Sequence, residues 1–159
     1  MRPSIWKRVQ AALEAAGLGT KVVTLEESAR TAQLAADALD AALGSIVKSL
    51  VFLADGEPVL VLVAGDRRAD PAKLKKLLEV RRVMIADAER VRSETGFSVG
   101  GVPPIGHRRP LPTWIDASLR RFETVYAAAG HPYAVFPIPF ESLVRITGGH
   151  VADVTKTPV

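Results

Sequence analysis

Two apolar segments on either side of a tight-turn signal constrain the fold of this chain most strongly. Residues 45–53 and 58–63 have strand composition, and Asp55 and Gly56 lie between them. An Asp-Gly pair between two such segments is a strong hairpin signal. The pair therefore predicts an antiparallel hairpin, which argues against a doubly wound sheet of parallel strands.

Hydrophobic periodicity predicts further helices and strands that do not alternate strictly. Helices are expected at residues 5–16 and 31–43, from Pro71 onward, between Asp87 and Gly96, and at residues 140–147. Short strands are expected at residues 21–25, 83–85, 113–116, 124–128, 134–138 and 150–154. With 159 residues and neither a linker nor a repeat, the chain predicts a single compact α+β domain over residues 1–159. Its sheet is expected to be mixed, largely antiparallel and flanked by helices.

Lys48 lies inside the first strand of the hairpin, between apolar residues on both faces. Side chains alternate along a strand, so Lys48 shares a face with Leu50 and Phe52. Lysine is rarely buried without a partner, because desolvating its charge is costly. Lys48 is therefore a candidate functional residue; the alternative is an edge-strand lysine that prevents aggregation.

A loop rich in glycine and proline is the second candidate. Residues 98–107 contain Gly100, Gly101, Pro103 and Pro104. The glycines let a ligand approach the main chain closely, and the prolines stiffen the loop. Amides in such a loop can hold a carbonyl or a developing oxyanion, although loops of this composition are often ordinary connections. Ten residues are nevertheless long for a plain connector.

The three histidines lie in different surroundings. His107 ends the glycine- and proline-rich loop and His131 lies in a second turn, so both are expected to line one pocket with Lys48. His150 is interpreted as structural. Neither His107 nor His131 has a carboxylate within four residues, and the chain has no cysteine. No catalytic metal is predicted.

Several enzyme classes lack their sequence signals here. The chain contains no phosphate-binding loop and no dinucleotide fingerprint. Residues 96–100 have the Gly-x-Ser-x-Gly spacing, but they follow a predicted helix rather than the strand that a nucleophile elbow requires. Nucleotide-dependent chemistry and elbow-type serine hydrolysis are therefore not expected, and no cofactor is predicted.

The chain carries a modest excess of positive charge, with a formal net charge of +4 and a pI near 9.7. This excess favours a polyanionic partner without establishing one. Arg108 and Arg109 directly follow the loop and are predicted to contact phosphates of a substrate whose reactive end enters the pocket. The first residues lack the apolar core of a signal peptide, and no apolar run reaches the length of a membrane span. A cytoplasmic protein without a membrane partner is expected.

Four motifs in order resemble the YbaK-like proteins, which are free-standing relatives of the editing domain inserted in bacterial prolyl-tRNA synthetases. The motifs are residues 47–52, 65–68, 100–107 and 129–131, and the resemblance covers about residues 5–154. It implies a single α+β domain that hydrolyses, in trans, the ester of a mischarged tRNA, usually proline tRNA. The acceptor end of that tRNA is the implied partner, with prolyl-tRNA synthetase or an elongation factor as a further one.

The resemblance also implies roles for individual residues. It assigns catalysis to Lys48, whose ammonium would anchor a phosphate or the ester oxygen, and to Gly100 and Gly101, whose amides would hold the carbonyl oxygen. A ribose hydroxyl beside the ester would assist the attacking water. The implied substrate-binding residues are Ser49, Val102, Pro103, Pro104, Gly106, His107, Gly130 and His131.

Two positions differ from known branches of this family. Ser49 replaces the asparagine of the alanine-specific branch, and the loop ends in His107 rather than the glutamine typical of the cysteine-specific branch. The substrate is expected to carry alanine, serine, threonine, 2-aminobutyrate or cysteine. Two alternatives stay open: a non-catalytic module that binds tRNA or a synthetase, and a Schiff-base enzyme that uses a buried lysine.

Overall fold

The structure, a computed structural model, describes residues 3–156 and places five α-helices and ten strands in this part of the chain. The helices are α1 (Pro3–Ala15), α2 (Ala32–Leu39), α3 (Pro71–Leu78), α4 (Ala88–Thr95) and α5 (Phe140–Thr147). The strands are β1 (Val23–Thr24), β2 (Val47–Ala54), β3 (Glu57–Ala64), β4 (Arg68–Ala69), β5 (Val83–Ile85), β6 (Thr113–Asp116), β7 (Thr124–His131), β8 (Ala134–Pro139), β9 (His150–Ala152) and β10 (Thr155–Lys156). Short 3-10 turns lie at Leu43–Ser45 and Ala117–Arg121.

A five-stranded mixed sheet in the order β5-β2-β3-β6-β9 forms the centre of the fold. In it, β2 is antiparallel to β3 and β5, whereas β6 is parallel to β3 and β9. The strands β1, β8 and β7 form a separate antiparallel sheet, and β4 and β10 form an antiparallel pair of their own. The α+β class and the mixed, largely antiparallel arrangement are therefore confirmed.

The predicted hairpin is the central pair of this sheet. The strands β2 and β3 pair along their whole length, and Lys48 lies opposite Val63. Asp55 and Gly56 both have positive φ, 49° and 86°, as the tightest hairpin turns require. The Asp55 carboxylate also accepts hydrogen bonds from the backbone N–H groups of residues 81 and 82. The segment before β5 therefore stabilises the turn as well.

Both faces of the hairpin are buried, which explains why its strands are almost continuously apolar. One face, with Val51 and Leu62, packs into a core shared with α1, β7, β8 and α5. The other face, with Phe52 and Val61, packs against Leu74 of α3. Lys48 lies on the Phe52 face, as the alternation predicts. Within residues 3–156, no helix combines the length and apolarity needed to cross a membrane.

Helix α2 is shorter than the sequence pattern predicts. Its start is confirmed, since the Thr31 hydroxyl caps it by accepting from the N–H of Leu34 at 3.1 Å. It ends at Leu39 rather than at residue 43, because Asp40 adopts a left-handed conformation with φ of 51° and closes the last turn. Gly44, the residue directly after the predicted helix, lies in the following 3-10 turn.

Gly65, just after β3, provides a test of this packing. A Cβ added there would lie 2.4 Å from the carbonyl oxygen of Leu43, a backbone atom that cannot move alone. We expect Gly65→Ala to lower the free energy of unfolding by about 1–3 kcal/mol, as overpacking usually does, in urea denaturation. Gly19, where an added Cβ meets nothing within 4 Å, is the control, and Gly19→Ala should change stability by less than about 0.5 kcal/mol. Equal stability of the two variants would contradict the close approach.

Candidate functional site

A cavity of about 400 Å³ lies beside the first half of β2. The neighbouring strand β5 pairs with residues 52–54, so among residues 3–156 the first half of β2 has no strand partner on that side. Small and aliphatic side chains dominate the lining, among them Ala32, Ile46 and Val99. The polar exceptions are Arg30, Thr31, Lys48 and Ser49, and polar residues in an apolar lining are the ones able to orient a ligand.

Lys48 reaches this cavity with a half-buried side chain. Its Nζ donates a hydrogen bond of 2.6 Å to the carbonyl oxygen of Arg67. An ammonium has three N–H donors, so two are left for a ligand. Burial lowers the pKa of Lys48, the charge of Arg68 lowers it further, and the Asp66 carboxylate opposes both.

The turn that accepts this hydrogen bond is fixed by an ion pair. The Asp66 carboxylate accepts two hydrogen bonds from the Arg121 guanidinium, at 2.7 and 3.0 Å. These bonds are also the main reason that the pKa of Asp66 is lowered. The N–H of Arg67 donates to the carbonyl of Ala64 at 3.0 Å and closes the turn. Asp66 lies in the motif at residues 65–68, but its ion pair with Arg121 was not predicted, since no local signal joins residues so far apart in the chain.

Ser49 carries a buried hydroxyl with no hydrogen-bond partner among the described residues. An unsatisfied buried polar group costs stability. Because the oxygen has almost no accessible surface, Ser49 lines the cavity through its other atoms, and its role as a substrate-binding residue stays a prediction.

The two glycines of the loop differ in what their amides do. Gly100 lines the cavity and has φ of 91°, a conformation that favours glycine. The N–H of Gly101 donates to the carbonyl of Ser98 at 3.0 Å and is therefore engaged within the loop. Among residues 3–156, the N–H groups of Gly100 and Val102 have no acceptor. The amides at the cavity that are left for an acyl oxygen are thus those of Gly100 and Val102.

Gly101 instead permits a close backbone contact. A Cβ at this position would lie 3.0 Å from the backbone nitrogen of His131. The partner segment is an irregularity in β7, where the pairing register shifts between Ala128 and His131 and Gly130 has φ of 96°. The loop and this bulge are therefore packed against each other, which brings together two of the motifs found in the sequence.

A second cleft, of about 630 Å³, adjoins the cavity, and Arg30 and Val99 line both. It contains the predicted residues Gly130 and His131. The Nδ1 atom of His131 accepts from the N–H of Tyr133 at 3.2 Å, so the neutral ring carries its proton on Nε2. Burial lowers the pKa of His131 and favours this neutral form.

His107 lies elsewhere, in a smaller cavity of about 170 Å³ that Pro104 and Gly106 also line. The prediction that both histidines line one pocket with Lys48 is therefore wrong. The loop turns toward α1, where Arg8 donates to the carbonyl of Gly106 at 3.1 Å. His107 itself bonds to the carbonyl of Pro103, and its burial lowers its pKa.

The two arginines after the loop separate in space. Arg108 lines the cleft, whereas Arg109 forms an ion pair with Glu94 at 2.7 Å. Sequence reasoning also missed Arg30, Arg92 and Val99, because exposed arginines and a loop valine carry no signal of their own. Between residues 3 and 156, no three side chains of His, Asp or Glu form a group that could hold a metal ion.

Comparison with known proteins agrees with this architecture. A solved structure of a candidate trans-editing enzyme for prolyl tRNA synthetase superposes with a TM-score of 0.91 at 44% identity, over 98% of this chain and 99% of that one. An uncharacterized protein of Bacillus subtilis, YwhH, is 36% identical over 110 residues, which are 69% of each chain. The proline–tRNA ligase of Oleidesulfovibrio alaskensis is 47% identical over 62 residues, 39% of this chain and 11% of the ligase.

The family model of the aminoacyl-tRNA editing domain matches residues 26–146, about three quarters of the chain. This range contains all four motifs on which the resemblance to the YbaK-like proteins was based, and that resemblance is confirmed. The chain therefore belongs to the aminoacyl-tRNA editing domain family.

Proposed function

We propose that this protein hydrolyses the ester bond of mischarged aminoacyl-tRNA in trans. One observation carries the proposal: a single apolar cavity combines the Lys48 ammonium with the amides of Gly100 and Val102. Each of these groups has unused capacity to bind a ligand. Membership of the editing-domain family supports this reaction.

The proposed chemistry needs no covalent intermediate. A water oxygen adds to the acyl carbon, and the carbonyl oxygen becomes an oxyanion that accepts hydrogen bonds from the amides of Gly100 and Val102. The bond to the ribose oxygen then breaks, and this oxygen takes the proton that the water gives up. The products are the free amino acid and the uncharged tRNA. Lys48 stabilises the negative charge that develops during these steps.

We propose proline tRNA carrying a small non-cognate residue as the substrate. The small aliphatic lining fits alanine, serine, threonine, 2-aminobutyrate or cysteine. An apolar pocket discriminates weakly among near-isosteres, which is the reason that a separate editing step is useful. Similarity to a candidate trans-editing enzyme for prolyl tRNA synthetase supports this choice of tRNA, with that synthetase or an elongation factor as a further partner.

A deacylation panel tests the proposal. Proline tRNA charged in turn with each of the five residues is incubated with the protein, and release of the labelled amino acid is followed against a reaction without protein. We expect faster release for at least one small residue and none for proline. Release at the spontaneous rate for every member would overturn the proposal.

Lys48 is the residue whose loss should matter most. Lys48→Met keeps much of the apolar stem but removes the ammonium, so kcat/KM on the best substrate of the panel should fall about 100-fold or more. Lys76→Met, on the exposed side of α3, is the control and should retain activity. Circular dichroism checks that both variants fold. If Lys48→Met were fully active, or if the wild type bound the tRNA without turnover, the non-catalytic module would be favoured.

Ser49→Ala separates binding from stability. The hydroxyl has no partner in the described part of the protein, so its removal should leave the free energy of unfolding unchanged or raise it. Because the oxygen has almost no accessible surface, kcat/KM should also stay within about twofold of the wild type. A large loss of activity at unchanged stability would show instead that the hydroxyl binds the substrate.

The pH dependence should follow the charges around Lys48. Activity requires the ammonium, so it is expected to fall as the pH rises through the lowered pKa of Lys48. Asp66→Asn removes the charge that raises this pKa and should move the decline to lower pH. Arg68→Gln removes a charge that lowers it and should move the decline to higher pH.

The measurement is kcat/KM against pH, corrected for spontaneous hydrolysis, together with the titration of the Lys48 side chain by NMR in the free protein. The NMR titration provides the control, because it does not depend on the lability of the substrate at high pH. Shifts in the same direction for the two variants would contradict the assignment of the decline to Lys48.

A further inference from the structure

The cleft beside the cavity is lined by three arginines from three separate segments. Arg30 precedes α2, Arg92 lies on α4, and Arg108 follows the glycine- and proline-rich loop. All three are exposed, and no carboxylate belongs to the lining of the cleft. The Arg92 guanidinium donates to the Ser98 hydroxyl at 2.9 Å. The cleft thus concentrates positive charge that the protein itself does not neutralise.

Two arginines close in sequence to the cleft residues do form ion pairs. Glu94 on α4 accepts hydrogen bonds from Arg90 at 2.9 Å and from Arg109 at 2.7 Å. Arg92 and Arg108 are each close in sequence to one of these paired residues. In the described part of the protein, however, neither they nor Arg30 form an ion pair. Among the arginines at positions 90, 92, 108 and 109, the two without an ion pair are the two that line the cleft.

The cleft is continuous with the cavity. Arg30 and Val99 line both spaces, so a ligand in the cavity can continue into the cleft without leaving the protein surface. The stem of Arg30 crosses Gly100, where a Cβ would lie 2.8 Å from its Cγ. Gly100, whose amide is proposed to bind the acyl oxygen, therefore also limits where the Arg30 side chain can lie.

We infer that this cleft binds the phosphodiester backbone that precedes the terminal adenosine of the tRNA while the acylated end occupies the cavity. The inference rests on the proposed function and names the subsite that it needs. Guanidinium groups bind phosphate oxygens with two parallel hydrogen bonds, and such contacts position a nucleic acid without reading its sequence. Arg30, Arg92 and Arg108 thereby align the ester with Lys48 and the loop amides.

Binding of an uncharged acceptor-stem minihelix ending in CCA tests the inference without requiring turnover. Fluorescence anisotropy gives Kd over a series of salt concentrations. We expect Arg92→Gln and Arg108→Gln each to weaken binding by about tenfold and to reduce the slope of log Kd against log salt by about 0.7, the value for one phosphate contact to a single strand. Arg90→Gln on the same helix is the matched control and should stay within about twofold of the wild type.

A minihelix with a neutral methylphosphonate in the linkage before the terminal adenosine locates the contact. The wild type should bind this modified minihelix more weakly than the unmodified one. The Arg92→Gln/Arg108→Gln double variant should bind the two minihelices with equal affinity. Additive losses, or equal losses for Arg90→Gln and Arg92→Gln, would overturn the inference. If the wild type fails the deacylation panel but the minihelix results hold, the proposed reaction is wrong and the phosphate subsite stands. If the panel succeeds and the arginine variants bind normally, only the subsite is wrong.

Discussion

The hydrogen bond from Lys48 to the carbonyl of Arg67 is the interaction on which the rest of the site depends. A lysine on an apolar strand face is tolerated only if its ammonium finds partners. Because β2 and β3 pair along their whole length, the turn after β3 returns to the level of Lys48 and supplies one. The close contact at Gly65 and the ion pair of Asp66 with Arg121 fix that turn. The ammonium is therefore placed by backbone geometry, which a flexible stem could not achieve alone.

Charge and apolar surface are separated between the two neighbouring spaces. The cavity is mostly aliphatic, with few polar groups, and the cleft contains the exposed arginines. Hydrogen bonds to a developing oxyanion are strongest where water is excluded, whereas phosphates are bound well by exposed guanidinium groups. On the proposed function, one ligand needs both environments, since its acyl end is small and its backbone is anionic.

Short-range signals predicted most elements, and long-range contacts account for what the sequence did not reveal. The turn at Asp55-Gly56 and the caps at Asp70 and Asp87 depend on neighbouring residues and were predictable. Lys48 was recognisable because its chemistry conflicts with its strand. The position of His107, by contrast, depends on a loop that turns toward α1, which is distant in the chain. The end of α2 depends on a left-handed conformation of Asp40 that no sequence signal marks. The distinction between the amides of Gly100 and Gly101 also required the folded loop, since either glycine alone is compatible with both roles.

Gly100 and Gly101 lie where the cavity for the acyl group meets the cleft for the phosphate backbone. At Gly100 a side chain would displace Arg30, and at Gly101 it would push the loop away from the bulge that contains His131. Either change would alter the separation between the loop amides and the cleft arginines. An aminoacyl ester is already labile, so an editing enzyme gains most by holding it in one position relative to water and donors. A fixed separation between acyl and phosphate subsites would provide that position, and a backbone without side chains at this junction is the simplest means of keeping it.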